Sequence, residues 1–207
     1  MTKPRIDPRE NGPYLVEGLE NLRDATGALE TGPTVALCRC GASANKPFCD
    51  GAHRAAGFSS ARLDDRRPDR QDEYVGEQLT IHDNRGVCAH AGVCTERLPA
   101  VWRMGQEPWI DPDGASTAEI VDVVRACPSG ALRVSRDSSA PAPGETSIVA
   151  VKNGPYVVSG GAQVQGAEFG AGASSDQFTL CRCGASKNKP FCDGAHWNAG
   201  AWDGSGE

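Results

Sequence analysis

No apolar run in this chain approaches the ~20 residues that a membrane-spanning helix requires, so a helical membrane protein is excluded. A basic excess is missing as well. Lys and Arg number 21 against 27 Asp and Glu, and a net charge of −6 gives nucleic-acid phosphates no basic face to meet. The opening residues, MTKPRIDPRENGPY, hold no apolar h-region, so no secretory signal is read there. Aromatic residues make up only 6% of the chain, while Gly 25 and Pro 14 are high for 207 residues. Such a chain is loop-rich and lacks the material for one large core. Modules of ~50–60 residues with so little to bury rely on disulfides, metals or association. The nine cysteines are odd in number, which argues against a closed disulfide framework. A reducing, cytoplasmic compartment is the expectation, and there clustered cysteines bind metal more often than they pair.

What is present in abundance is repetition. CRCGASANKPFCDGAH (38–53) returns as CRCGASKNKPFCDGAH (181–196), differing only at Ala44 against Lys187. The repeat extends upstream: NGPYLV (11–16) precedes the first copy and NGPYVV (153–158) the second. Asn11 lies 27 residues before Cys38 and Asn153 lies 28 before Cys181, so two units of about fifty residues differ by one insertion. Asn-Gly-Pro is a turn signal ahead of a short β-favouring run. TVALC (34–38) and QFTLC (177–181) read as strands that deliver the chain to the first cysteine of each motif.

Between the repeats the material changes. Residues 61–76 are charged and read as a solvated connector; residues 135–147 are Ser/Pro/Ala-rich and read as a linker. The segment between them, 77–134, holds three cysteines of its own. EQLTIH (77–82) alternates like a strand, and ALRV (131–134) can pair back on it. STAEIVDVVRAC (116–127) reads as a helix: Ser116 and Glu119 have capping-box spacing, and Ile120, Val123, Val124 and Cys127 share a face that Pro128 ends. The expected domains are therefore 1–60, 77–134 and 148–207, and the expected fold class is α+β with two small β-rich modules.

The repeated motif is C-x-C-x8-C-x3-H: Cys38, Cys40, Cys49 and His53, then Cys181, Cys183, Cys192 and His196. Pro47 and Pro190 suit the first turn of a helix, which would set Cys49 and His53, four apart, on one face. Cys3His is an accepted structural zinc set, although zinc usually takes C-x2-4-C pairs and C-x-C is tight for one tetrahedral ion. A two-iron cluster divides its ligands as pairs over two irons. Spacing alone leaves both readings open.

These stretches resemble the CDGSH iron–sulfur (mitoNEET-like) family, whose motif reads C-x-C-x2-S/T-x3-P-x-C-D-G-S/A/T-H. Cys38, Cys40, Ser43, Pro47, Cys49, Asp50, Gly51, Ala52 and His53 match it, as do Cys181, Cys183, Ser186, Pro190, Cys192, Asp193, Gly194, Ala195 and His196. The resemblance implies a 2Fe–2S cluster at each motif, with the outer iron held by Cys49 and His53, or by Cys192 and His196. Members with one motif form homodimers, so two motifs in one chain imply a monomer containing an intramolecular pseudo-dimer.

The middle cysteines give C-x5-C-x32-C-P, from Cys88, Cys94 and Cys127. With LPAVW, EPWI and CPSGAL, this segment resembles divergent single-cluster ferredoxins, in which Cys-Pro closes the ligand set. The position of the usual central cysteine holds Ala91. Three cysteines suit a 3Fe–4S cluster; a 4Fe–4S cluster needs a non-cysteine ligand, for which His90 is the neighbouring candidate. The other reading of His90 is a hydrogen-bond donor to sulfur. His82 reads as a surface histidine, and Trp102 and Trp109 as packing.

No Ser/His/Asp constellation, phosphate loop or dinucleotide fingerprint accompanies these sets, and no catalytic site is expected. The expected function is electron transfer through three iron–sulfur centres, with redox proteins as partners and neither nucleic acid nor membrane. The alternative is a cluster carrier that serves apo-protein acceptors, or a redox or pH sensor.

Overall fold

The computed structural model describes residues 3–135, 145–200, 202 and 203. Most of the Ser/Pro/Ala-rich linker lies outside the described residues. The chain is mostly β-sheet with few helices.

In the first repeat, strands β1 (Arg5–Pro8), β2 (Tyr14–Glu17) and β5 (Thr34–Leu37) form an antiparallel set, with β3 (Asn21–Asp24) and β4 (Gly27–Leu29) between β2 and β5 in sequence. The predicted Asn-Gly-Pro turns join β1 to β2. Asn11 takes the left-handed backbone at φ 46°, and the Arg9 N–H closes the turn on the Pro13 carbonyl at 3.0 Å. The second repeat builds the same unit from β9 (Ser147–Ala150), β10 (Tyr156–Ser159) and β12 (Gln177–Leu180), with Asn153 at φ 51° in the matching turn. The predicted strands ahead of the motifs are thus β5 and β12.

The remaining strands cross between repeats. β3 pairs in parallel with β9, Leu22 opposite Ile148, and β11 (Gln163–Val164) pairs in parallel with β1, Ile6 opposite Val164. The two sheets therefore run β11-β1-β2-β5 and β12-β10-β9-β3-β4, each containing strands of both repeats. One apolar core serves the two, with Ile6, Tyr14, Val16 and Leu37 packed among Ile148, Tyr156, Val158 and Leu180.

At its centre Tyr14 and Tyr156 meet edge to face, 6.1 Å between ring centroids, and neither is exposed. A buried phenol needs a hydrogen-bond partner. Tyr14 Oη lies 2.9 Å from the Cys181 carbonyl and 2.8 Å from that of Pro190; Tyr156 Oη lies 2.9 Å from the carbonyls of Cys38 and Pro47. Each tyrosine thus serves the metal motif of the other repeat.

The middle segment has its own sheet, β6 (Asp72–Val75), β7 (Thr80–Asp83) and β8 (Leu132–Ser135), and two helices, α1 (Val93–Arg97) and α2 (Thr117–Arg125). The capping box predicted for α2 is present. Ser116 Oγ accepts from the Glu119 N–H, and the Glu119 carboxylate accepts from the Ser116 N–H. Ile120 and Val123 point into a second core with Ile81, Val101, Trp102 and Ile110. Trp102, fully buried, is packing as expected.

Replacing Tyr14 by Phe leaves the buried Cys181 carbonyl without the phenol donor, while the Pro190 carbonyl keeps the Cys181 N–H. An expected loss of about 1–3 kcal/mol follows from that unmet acceptor. Denaturation of Tyr14→Phe, Tyr156→Phe and the double variant measures it, and a shared network predicts that the two losses do not add.

Candidate metal centres

Each motif begins where a strand runs out. Past β5 the bridge Leu37–Phe48 continues the pairing, with the Cys38 N–H donating to the Pro47 carbonyl and the Cys49 N–H to the Ala36 carbonyl, both at 2.8 Å. This ladder sets the first and third cysteines diagonally across two paired stretches of chain although ten residues separate them. The second motif repeats it through Leu180–Phe191, with Cys181 donating to Pro190 and Cys192 to Thr179.

The intervening loop is held by side chains. Buried Ser43 donates to the Phe48 carbonyl at 2.7 Å and accepts from the Asn45 N–H; Ser186 does the same with Phe191 and Asn188. Asp50 accepts the Ala44 and Ala52 N–H groups, and Asp193 those of Lys187 and Ala195. The aspartate therefore clips the loop to the turn that carries the histidine.

The expected helix over Pro47–His53 does not form. Gly51 and Gly194 take φ of 89° and 86°, which interrupts any helical path between Cys49 and His53 or Cys192 and His196. Pro47 and Pro190 sit in turns ahead of the Phe bridges, and the second histidine lies in a 3-10 turn over Ala195–Asn198. Convergence is reached by that turn instead: Cys49 Sγ and His53 Nδ1 are 3.5 Å apart, Cys192 Sγ and His196 Nδ1 3.4 Å. The other pair, Cys38 Sγ and Cys40 Sγ, stands at 3.8 Å. The donors thus group in twos, and among the described residues no three Cys, His, Asp or Glu side chains surround a single ion position. Backbone N–H groups of Ala42, Gly51 and Gly194 donate to Cys40, Cys49 and Cys192 sulfur at 3.4 Å.

The two motifs meet at their glycines. A methyl on Gly41 would lie 2.7 Å from the Cys183 carbonyl oxygen, and one on Gly184 equally near that of Cys40. Both have positive φ, so the close approach and the backbone conformation demand glycine together.

Burial pushes the Cys40 and Cys192 thiols up and lowers His196; the hydrogen bond from Cys181 lowers Cys183 while Cys181 itself rises well above a free thiol. Buried thiolates in such a place need a cation's charge, and binding then releases their protons.

In the middle module Cys88, Cys94 and Cys127 line one cavity of about 520 Å³, together with His90 and Ala91. Cys88 ends a 3-10 turn over Arg85–Val87, Cys94 lies in α1, and Cys127 follows α2. Cys88 sulfur receives the His90 N–H at 3.4 Å and faces Arg85 Nη1 at 3.8 Å; Cys127 sulfur is 3.6 Å from Ser129 Oγ. Burial lifts the Cys88 thiol to about 11. The His90 ring lies against Gly194 of the second motif, and burial lowers its pKa. His82 is no bare surface histidine: it sits between Gln71, Glu73 and Ser135 on β7. Thiolate donors, sulfur-directed N–H groups and a roomy cavity fit iron–sulfur groups at all three sets.

Sequence reasoning missed Asp83, Tyr14 and Tyr156. The tyrosines were visible as a repeated NGPY but read only as strand starts. Asp83 also lines the cavity, 1% exposed, with Arg85 3.9 Å away and no hydrogen bond to either carboxylate oxygen among the described residues.

A β-rich chain with two Cys3His sets and a three-cysteine cavity has the donors an iron–sulfur protein uses. Residues 11–54 and 153–197 match the family described as iron-binding zinc finger CDGSH type, and 74–137 match the divergent 4Fe–4S mono-cluster family. Over 60 residues the chain is 37% identical to "Uncharacterized protein YjdI" of Escherichia coli K12, a stretch covering 29% of this chain and 79% of that protein. YjdI of Escherichia coli O157:H7 matches to the same extent. The chain belongs to the CDGSH family, with two CDGSH regions flanking a divergent 4Fe–4S mono-cluster domain.

Burial raises the Asp83 carboxyl to about 6. The folded state therefore holds a proton that the unfolded carboxylate, near ~3.9, releases, and stability falls as pH rises through that window. Asp83→Asn is expected to gain about 1–3 kcal/mol at pH 8, a gain that shrinks toward pH 4. Unfolding midpoints at the two pH values measure it.

Proposed function

We propose that this chain is an electron-transfer protein with no catalytic site of its own, holding a 2Fe–2S cluster at each CDGSH motif and one ferredoxin-type cluster in the middle module. The observation that carries the reading is the continuity of the three ligand sets. His90, in the loop of the middle cysteines, lies against Gly194 of the second motif, and the inner cysteines of the second and first motifs meet at Gly41 and Gly184. Such groups supply one-electron chemistry when bound. Around them the protein sets ligand identity, aims N–H groups at sulfur and excludes water, which are its means of adjusting potential.

The paired donors support two irons at each motif over one zinc ion. The reciprocal exchange of β3 and β11 supports an intramolecular pseudo-dimer. In the middle, three cysteines accommodate a 3Fe–4S cluster as they stand; the matched family's description supports 4Fe–4S, which takes a non-cysteine fourth ligand. The His90 N–H on Cys88 supports that residue as a donor to sulfur. Among the described residues no helix is long and apolar enough to cross a membrane, and the proposed partners are redox proteins.

Imidazole in place of thiolate reduces the charge at a centre, so both CDGSH centres are expected at higher potential than the middle one. Anaerobic purification with iron, sulfide and zinc analysis comes first, then a redox titration followed by low-temperature paramagnetic resonance. Zinc without sulfide overturns the reading, and the reverse order of potentials overturns the assignment of ligands.

Cluster carriage is the second reading, favoured by the half-buried Cys49 and His53. Loss of the visible spectrum to an apo-ferredoxin at neutral pH, faster than reduction by a reductase, would select it.

A further inference from the structure

The two motifs are nearly identical in sequence and unequal in surroundings. Asn188 is 2% exposed, whereas Asn45, its counterpart, is exposed. Cys192 and His196 are buried; Cys49 and His53 are only half-buried. The cause is the middle module, which packs on the second motif; among the described residues none of its hydrogen bonds reaches the first. Asn188 Nδ2 donates to the Gly86 carbonyl at 2.9 Å, and Trp197 Nε1 donates to the His90 carbonyl at 3.0 Å. The His90 ring leaves no room at Gly194, where a methyl would come within 2.6 Å of Cδ2.

The charged connector completes the cover. Arg62 Nε donates to Asn188 Oδ1 at 2.8 Å, the Leu63 N–H donates to the Lys187 carbonyl, and Asp65 pairs with Lys187. The one position at which the two motifs differ is thus where this strap is tied: Lys187 has an acidic partner, and Ala44 has no side chain to offer one. Trp197 stands where the first motif has Arg54, which is exposed.

We propose that the middle module seals the second CDGSH site and leaves the first open to solution at Asn45, Gly51, His53 and Arg54, so that the first motif gives up its metal before the second. The inference rests on iron being held at both motifs, as in the reading above. It gives the duplicated motifs different work: one faces the neighbouring ligand set within the chain, the other faces solution.

Order of emptying tests this without any assay of function. The iron-loaded full-length protein is mixed with an iron chelator and N-ethylmaleimide, and alkylated cysteines are followed over time by peptide mass spectrometry. Cys49 is expected to be labelled about tenfold or more faster than Cys192, which waits for the cap to open. Asn188→Ala combined with Trp197→Ala should speed labelling of the second motif and bring the ratio toward one. Equal rates, the reverse order, or a ratio indifferent to the cap variant each overturn the proposal. The wild-type order decides even if the cap variant fails to fold. Iron and sulfide content measured beforehand separates this failure from failure of the ligand assignment.

Discussion

Two phenolic hydroxyls hold the CDGSH halves of this structure in register. Tyr14 and Tyr156 stand in contact at the centre of the shared core, and each reaches the carbonyl of the first cysteine and that of the proline two residues before the third in the other repeat. The proline carbonyls also accept the N–H of the first cysteine of their own motif, while the cysteine carbonyls take the phenol of the other repeat as their donor. Local geometry at either motif therefore depends on the other repeat being in place. Exchange of β3 and β11 serves the same end, since β11 edges one sheet and the β3–β4 hairpin completes the other, each supplied by the opposite repeat.

Local signals were the legible part of the chain. The Asn-Gly-Pro turns, β5 and β12, the capping box of α2 and the return strand β8 all follow from patterns a few residues long. The metal donors were legible because a sixteen-residue repeat carries them. What failed was inference across a bend. Pro47 and the four-residue spacing of Cys49 and His53 are a fair helix signature, yet Asp50 turns its carboxylate to two N–H groups and Gly51 reverses the backbone. Four residues converge there by a turn and not by a helix face. The exchange of strands and the role of the tyrosine hydroxyls involve pairs more than a hundred residues apart, for which periodicity carries no information.

The connector expected at 61–76 shows a related limit: its last residues, Asp72–Val75, are strand β6 of the middle sheet, with Tyr74 packed on the middle core. Its composition is that of solvated surface, and most of its residues are indeed exposed. Exposure and attachment are different properties, however. Arg62, Leu63 and Asp65 reach the second motif, and Asp69 takes hydrogen bonds from Asn84 and from the Ala171 backbone. A charge run can hold two modules together at its polar ends while burying little apolar area.

Carrying both motifs on one polypeptide has a consequence for how such a molecule can change. In a symmetric assembly of identical subunits every replacement appears twice, so a residue suited to one environment is imposed on the other. Here Lys187 can answer Asp65, and Trp197 can answer His90, while Ala44 and Arg54 stay as they are. The glycines at the junction have no such latitude, since each is pressed against the backbone of the second cysteine in the other motif. Divergence is therefore open at the rim of each motif and closed at the seam between them.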